Sequence, residues 1–170
     1  MIFERPRLGT LKLSESAASS LLSFRQLEVS ATEAGGVLVG RHILGTVDVV
    51  IDLVTTPMQG DRRTRTSFHR ARARHQAVLD REWKISRGTR VYLGEWHTHP
   101  ERVPQPSSTD LDDWQRRLRR DTVEAPFVFF LIVGQDEVRG WEGSRTSYGV
   151  APLRRQPPRV TLRDSERVQQ

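Results

Sequence analysis

The sequence contains no cysteine and almost no lysine. Only Lys12 and Lys84 are lysines among its 27 basic residues, so arginine supplies nearly all of the positive charge behind a formal net charge of +6. The absence of cysteine excludes thiol catalysis, disulfide bonds and every cysteine-ligated zinc site. A metal site in this chain can therefore use only histidine and carboxylate ligands.

Long apolar runs are missing as well. No segment approaches the roughly 20 apolar residues of a membrane span, and the first ten residues, MIFERPRLGT, lack the apolar stretch of a secretory signal. We therefore expect a cytoplasmic protein without a membrane partner. A chain of 170 residues can bury a sizeable core. We assign one domain to residues 1–153 and expect a polar, flexible tail over residues 154–170.

Arginine is concentrated in two segments, residues 60–76 and 114–120. The simpler interpretation is that both are solvated faces of helices or loops. The alternative is a surface for an acidic protein or a nucleic acid. The sequence favours the first interpretation and leaves the second open.

The spacing of apolar residues predicts an α+β domain with a largely antiparallel sheet, because pairs of adjacent strands alternate with helices. The first helix begins at Ser14 or Ser16, which are good N-caps. The elements that follow it are strands over residues 34–43 and 46–55, a second helix over 67–86, a strand over 89–99, a third helix over 107–120 and strands over 126–134 and 137–143.

The segment GEWHTHPERVPQPSSTD concentrates metal-ligand chemistry. His97 and His99 alternate along a predicted strand, so both imidazoles point to one face. Asp110 lies at the start of the next helix, where the intervening loop can fold its carboxylate beside them. Two histidines, one carboxylate and an open fourth position form the ligand set of a catalytic zinc, which lowers the pKa of its bound water to about 7.

Glu33 is the candidate general base. Hydrolysis needs a group that takes the proton of the water and gives it to the leaving amine. Glu33 precedes Gly35 and Gly36 and an apolar strand, and a carboxylate that enters a core strand is costly unless it has a partner. The two glycines leave room for backbone or substrate to approach.

These residues resemble the JAMM motif of the JAB/MPN zinc peptidases: an upstream Glu, then His-x-His, seven residues, Ser, two residues and Asp. The resemblance covers roughly residues 10–145. It implies the MPN fold, a curled sheet flanked by helices and similar to the cytidine deaminase fold. It also implies one zinc ion bound by His97, His99 and Asp110, with Glu33 as general base and acid and Ser107 stabilising the tetrahedral intermediate.

Within that family, YLGEWHTHP is most similar to bacterial JAB proteins that accompany E1-like and E2-like enzymes in anti-phage operons, including those of the CBASS type. The resemblance implies an isopeptidase that cleaves a ubiquitin-like or signalling protein from its target. Residues 57–67 occupy the place of a substrate-clamping insertion, where an extended substrate tail could add as a strand. Candidate substrate contacts are Gly35, Gly36, Arg62, Arg63 and Arg65.

Three alternatives stay open. A related peptidase could act on a sulfur-carrier protein of the ubiquitin-like type. A RadC-like DNA-associated module would place the arginines on phosphates, but that group carries a helical DNA-binding region before its motif, and only 32 residues precede Glu33. A catalytically silent scaffold would have lost the ligands that this chain keeps. We interpret His42, His69 and His75 as surface or hydrogen-bonded core residues.

Overall fold

The computed structural model describes residues 1–120 and 125–157. It confirms the α+β class and the largely antiparallel sheet, since six of the eight strand pairs in the main sheet are antiparallel. The elements are β1 Ile2–Glu4, β2 Thr10–Leu13, α1 Glu15–Leu22, β3 Gly35–His42, β4 Val49–Val54, β5 Arg62–Thr64, β6 Ser67–His69, α2 Arg72–Ile85, β7 Val91–Thr98, α3 Ser108–Arg120, β8 Phe127–Val133, β9 Val138–Ser144, β10 Val150–Pro152 and β11 Arg154–Arg155.

Nine of the described strands form the main sheet, in the order β10-β9-β8-β7-β3-β4-β2-β1-β11. The sheet is packed on both faces, and β8 shows how. Phe129 and Leu131 point into a core shared with α1, whereas Phe130 and Ile132 point into a second core against α3. Trp114 of α3 stacks on Phe130 with ring centroids 4.5 Å apart. An apolar run without polar alternation is therefore the sequence pattern of this strand.

A β-bulge in β7 decides which side chains reach the α3 face. Leu38 of β3 pairs with Gly94, but the next residue, Val39, pairs with Tyr92, so Leu93 is an extra residue in β7. The bulge reverses the alternation of side chains beyond it. Gly94 has φ = 145°, and a Cβ there would lie 1.8 Å from the carbonyl oxygen of Phe129. Glycine is thus required at the bulge.

The predicted second helix is wrong at its start. Residues Ser67–His69 form β6, which pairs with β5 in a hairpin, and α2 begins only at Arg72. The apolar pattern of this segment also misleads, because Trp83 and Ile85 are exposed and the buried side chains of α2 are His75 and Glu82. Polar partners make that burial possible, as Glu82 pairs with Arg90 at 2.8 Å.

The edge of the main sheet also differs from the prediction. Strands β1 and β2 were not predicted, because three or four residues are too few to show a periodicity. Arg154 and Arg155, predicted to begin the tail, instead form β11 and pair with β1. Arg154 forms an ion pair with Glu4, and the amide of Gln156 donates to the carbonyl of Ile2 at 2.9 Å. Residues 158–170 of the predicted tail lie outside the described residues.

Candidate metal centre

Strand β7 and the residue directly after it present two imidazoles on the α3 face of the sheet. Beyond the bulge, Trp96 and Thr98 pair with residues of β8 that face the α1 core, so His97 and His99 face the other side. His99 is 8% exposed and its amide donates to the carbonyl of Val133 at 3.0 Å. The i, i+2 spacing therefore produces the shared face that the sequence predicts.

The third ligand candidate is held by a capping box at the start of α3. The hydroxyl of Ser107 accepts the amide of Asp110 at 3.2 Å, and one carboxylate oxygen of Asp110 accepts the amide of Ser107 at 2.7 Å. The same oxygen also accepts the Ser107 hydroxyl at 2.6 Å. The Ser-x-x-Asp spacing of the motif is thus the spacing of reciprocal helix capping.

The ligand atoms converge at distances that fit one metal ion. The Nε2 atoms of His97 and His99 lie 3.0 Å apart, and the carboxylate of Asp110 lies 3.1 Å from the first and 3.4 Å from the second. A tetrahedral site with zinc–ligand bonds of 2.0–2.1 Å has ligands about 3.3 Å apart. All three residues offer a ligand atom within 4.8 Å of the others. The donor set therefore fits a zinc-sized cation.

The carboxylates of the site have opposite pKa shifts. Burial acts to raise the pKa of Asp110, but hydrogen bonds from His97, His99 and Ser107 outweigh it and hold that pKa well below its usual range. Burial raises the pKa of Glu33 to about 7, with the charge of His99 opposing and that of Asp110 adding to the shift. Two carboxyl groups with separated pKa values suit distinct roles as ligand and as base.

Glu33 lies in the same cavity as the three ligands, although it is far from them in sequence. The cavity has a volume of about 440 Å³ and is bordered by Glu33, His97, His99, Ser107 and Asp110. Sheet pairing brings them together, since Gly35 opposes His97 and the amide of Thr98 donates to the carbonyl of Ala34 at 2.8 Å. The side chain of Glu33 is 5% exposed.

The β5–β6 hairpin fixes the backbone of Glu33. The amide of Glu33 donates to the carbonyl of Thr64 at 2.7 Å, and the guanidinium of Arg63 donates to the carbonyls of Glu33 and Thr32. Arg65 donates to the carbonyls of Val29 and Glu28. Both guanidinium groups, predicted to contact substrate, are thus engaged with the segment that carries the candidate base.

The other candidate substrate contacts lie in two environments. Arg62 is exposed on β5. A Cβ on Gly35 would lie 2.4 Å from the ring of Phe68, and one on Gly36 would lie 2.0 Å from the carbonyl oxygen of Thr55. The glycine pair is therefore needed for packing of the hairpin and of β4, and Gly36 also borders the cavity.

Thr98 is a supporting residue that the sequence analysis missed. Its buried hydroxyl accepts the amide of Ala34 and donates to the side-chain oxygen of Gln26, both at 2.9 Å. The sequence did contain a signal for this role: Thr98 lies between the two candidate ligands His97 and His99 and therefore points to the opposite face of the strand. The interpretation of the remaining histidines is confirmed: His42 and His69 are exposed, and buried His75 contacts Thr55 at 2.6 Å and Asp61 at 3.1 Å.

The fold and the convergence of two histidines with one carboxylate define a class of JAB-type domains. The family of prokaryotic homologs of the JAB domain matches residues 16–144, and the chain belongs to this family. In the described residues, no helix combines the length and the apolar character needed to cross a membrane.

Relatives and a solved structure agree with this assignment. The chain is 41% identical over 125 residues to a CD-NTase/cGAS isopeptidase of Vibrio cholerae, covering 74% of this chain and 75% of the relative. It is 35% identical over 135 residues to the CD-NTase/cGAS isopeptidase of an Escherichia coli strain, covering 79% and 81% of the two chains. The solution structure of DSY2949 from Desulfitobacterium hafniense has a similar fold, with a TM-score of 0.57, 20% identity and coverage of 84% and 88%.

Proposed function

We propose that the protein is a zinc-dependent isopeptidase that hydrolyses the amide bond after the C-terminus of a ubiquitin-like or CD-NTase-type signalling protein joined to a target. The single observation that carries this proposal is the convergence of His97, His99 and Asp110 in one cavity with buried Glu33. The family and the two isopeptidase relatives support the reaction class.

The residues would divide the reaction among them. A divalent cation held by His97, His99 and Asp110 would activate water and polarise the scissile carbonyl. Glu33, buried beside that position, would take the proton of the attacking water and deliver it to the leaving amine. Its raised pKa suits this exchange near neutral pH. Ser107 would hold Asp110 in place through its backbone amide in the capping box, and its single hydroxyl proton, donated to Asp110 in this structure, would turn to the developing oxyanion from the rim of the cavity.

The proposed place of the protein is a conjugation pathway that includes E1-like and E2-like enzymes, where it would reverse conjugation as part of anti-phage defence. The name shared by the two relatives supports a CD-NTase as the conjugated protein. The cavity supports a protein substrate, because the β5–β6 hairpin borders it with Ser67 and Phe68. An extended substrate tail could lie along this hairpin as an added strand.

The test is cleavage of a CD-NTase and of a ubiquitin-like protein, each fused through its C-terminus to a reporter. The proteins compared are the zinc-loaded wild type, the same protein after chelation, and Glu33→Ala. We expect only the zinc-loaded wild type to cut, at the fusion junction. Zinc bound in equimolar amount without any cleavage would contradict the proposal. A third fusion carries a sulfur-carrier protein of the ubiquitin-like type. Cleavage of this fusion alone would change the proposed substrate class and keep the proposed chemistry.

A further inference from the structure

The two arginine segments, distant in sequence, meet on one surface. A groove of about 920 Å³ lies between the β5–β6 hairpin, α2 and α3, and seven arginines but only two aspartates line it. We call it the arginine groove. Its arginines are Arg62, Arg70, Arg72, Arg90, Arg116, Arg117 and Arg120.

Some of these arginines are neutralised by neighbouring carboxylates and some are not. Arg70 pairs with Glu95 and Arg90 with Glu82. Three others are exposed, and their side chains form no ion pair or hydrogen bond with any residue in the described ranges: Arg62, Arg72 and Arg120. They come from β5, α2 and α3, so positive charge without a carboxylate partner among the described residues borders the groove on three sides. Such a site attracts an anionic ligand.

The groove also has an apolar part. Trp83 is 56% exposed and lines the groove next to Leu79 of α2. An exposed tryptophan beside arginines is typical of protein recognition surfaces. The volume of the arginine groove lies near the top of the range of about 300–1,000 Å³ for ligand pockets. The groove therefore has room for a peptide segment.

The groove continues into the candidate metal cavity. Phe68, His69, Arg70, Asp113 and Arg117 line both spaces. A chain that lies in the groove therefore extends towards the position of the scissile bond. The metal cavity itself is bordered by Glu95, Glu101 and Asp113 in addition to the candidate ligand and base carboxylates, and Arg70 and Arg117 mark its boundary with the groove.

We propose that the arginine groove binds an acidic segment of the protein substrate, with an apolar side chain on Trp83, and so selects which conjugate is cut. This inference rests on the proposed function. A peptide fits better than a nucleic acid, because the carboxylates of Asp80 and Asp113 in the groove would repel a continuous phosphate backbone. A peptide can place acidic and neutral residues to match both signs of charge.

The binding test uses a fluorescein-labelled peptide of alternating glutamate and alanine, and a matched peptide with glutamine in place of glutamate. Anisotropy measures Kd for the metal-free wild type and for two charge-reversal variants with the same net charge. The groove variant changes the three uncompensated arginines and the control variant changes three exposed arginines outside the groove: R62E/R72E/R120E and R7E/R74E/R155E. The triple change to glutamine at the groove positions is a milder second variant.

We expect the glutamate peptide to bind the wild type more tightly than the glutamine peptide. The groove variant should weaken this binding about tenfold, which corresponds to about 1.4 kcal/mol, and the control variant should change it less than twofold. Equal weakening in both variants would mean that net charge alone attracts the peptide, and it would overturn the proposal. Tight, arginine-dependent binding of a single-stranded DNA of equal length, without binding of the glutamate peptide, would overturn it as well.

A hydrolysis assay distinguishes failure of this inference from failure of the proposed function. Two fusion substrates share one scissile bond and carry either the glutamate or the glutamine sequence beside it. We expect the groove variant to lower kcat/KM about tenfold for the acidic substrate only. Equal rates for both substrates in the wild type would refute the proposed role of the arginine groove and would leave the proposed isopeptidase activity intact. Arginine-dependent peptide binding without any hydrolysis would refute the isopeptidase and leave an acidic-peptide site.

Discussion

Replacing Glu33 with glutamine should make the metal-free protein more stable at alkaline pH. The side chain of Glu33 is 5% exposed, and burial raises its pKa from 4.5 to about 7. The folded state therefore binds a proton more tightly than the unfolded state at this residue. Stability is fully present below pH 4.5 and is lost as the pH rises through about 7, because the buried group must then ionise. Glutamine has a similar shape and no such requirement.

Linkage gives the size of the effect. For one carboxyl group with these two pKa values, the free energy of unfolding falls by about 2 to 3 kcal/mol between pH 5 and pH 8. Urea unfolding of wild type and Glu33→Gln at both pH values measures the difference. We expect the free energy of unfolding of Glu33→Gln, minus that of the wild type, to increase by this amount between pH 5 and pH 8.

The control is Glu101→Gln, which removes an exposed carboxylate 3.9 Å from His99 and so tests the loss of a charge near the site without burial. Because the charge of Glu101 acts to raise the pKa of His99, the pH dependence of this control measures that charge effect, which is subtracted from the result for Glu33→Gln. Zinc should shrink the pH-dependent gap for Glu33→Gln, because a nearby cation stabilises the ionised form. A gap between wild type and Glu33→Gln that is equal at pH 5 and pH 8 would refute the argument that burial sets the pKa of Glu33.

Three further predictions concern the capping box, the glycine pair and the metal. Ser107→Ala should cost about 1 kcal/mol in thermal unfolding by loss of the cap, and zinc titration should show weaker binding because Asp110 loses its positioning donor. Gly36→Ala should cost about 1–3 kcal/mol, since its Cβ meets the carbonyl oxygen of Thr55 at 2.0 Å, whereas Gly149→Ala, with 3.4 Å to its nearest neighbour, should unfold like the wild type. Zinc affinity measured by calorimetry should fall as the pH is lowered, because protons compete with the metal for the nitrogens of His97 and His99; pH-independent affinity would contradict this ligand set.

The site was predictable where local geometry alone places the residues. The alternation of His97 and His99 on a strand and the capping spacing of Ser107 and Asp110 are short-range relations, and the structure realises both. The spacing of residues along the sequence does not show which strands pair or in which register. The position of Glu33 beside the ligands depends on the register of β3 against β7 and follows here from Gly35 opposing His97.

Long-range polar contacts explain why the second helix was misjudged. Its buried face carries His75 and Glu82, whose partners Thr55, Asp61 and Arg90 lie in loops outside the helix. An apolar periodicity finds only the faces that hydrophobic burial stabilises, so it gives no sign that this polar face is the buried one. The arginine groove could not be predicted for a similar reason. Its charge is contributed by residues 60–76 and 114–120, which come together only in the fold.

Stability and chemistry are linked at one point of the fold, the β-bulge at Leu93 and Gly94. Without the extra residue, the alternation of β7 would turn His97 and His99 into the α1 core and Trp96 towards α3. The two imidazoles would then be buried among apolar side chains and separated from Asp110. The positive φ of Gly94 and its contact with the carbonyl of Phe129 fix the bulge. A side chain at this glycine would therefore displace the candidate ligands His97 and His99 through the register of the strand, at a distance from the site itself.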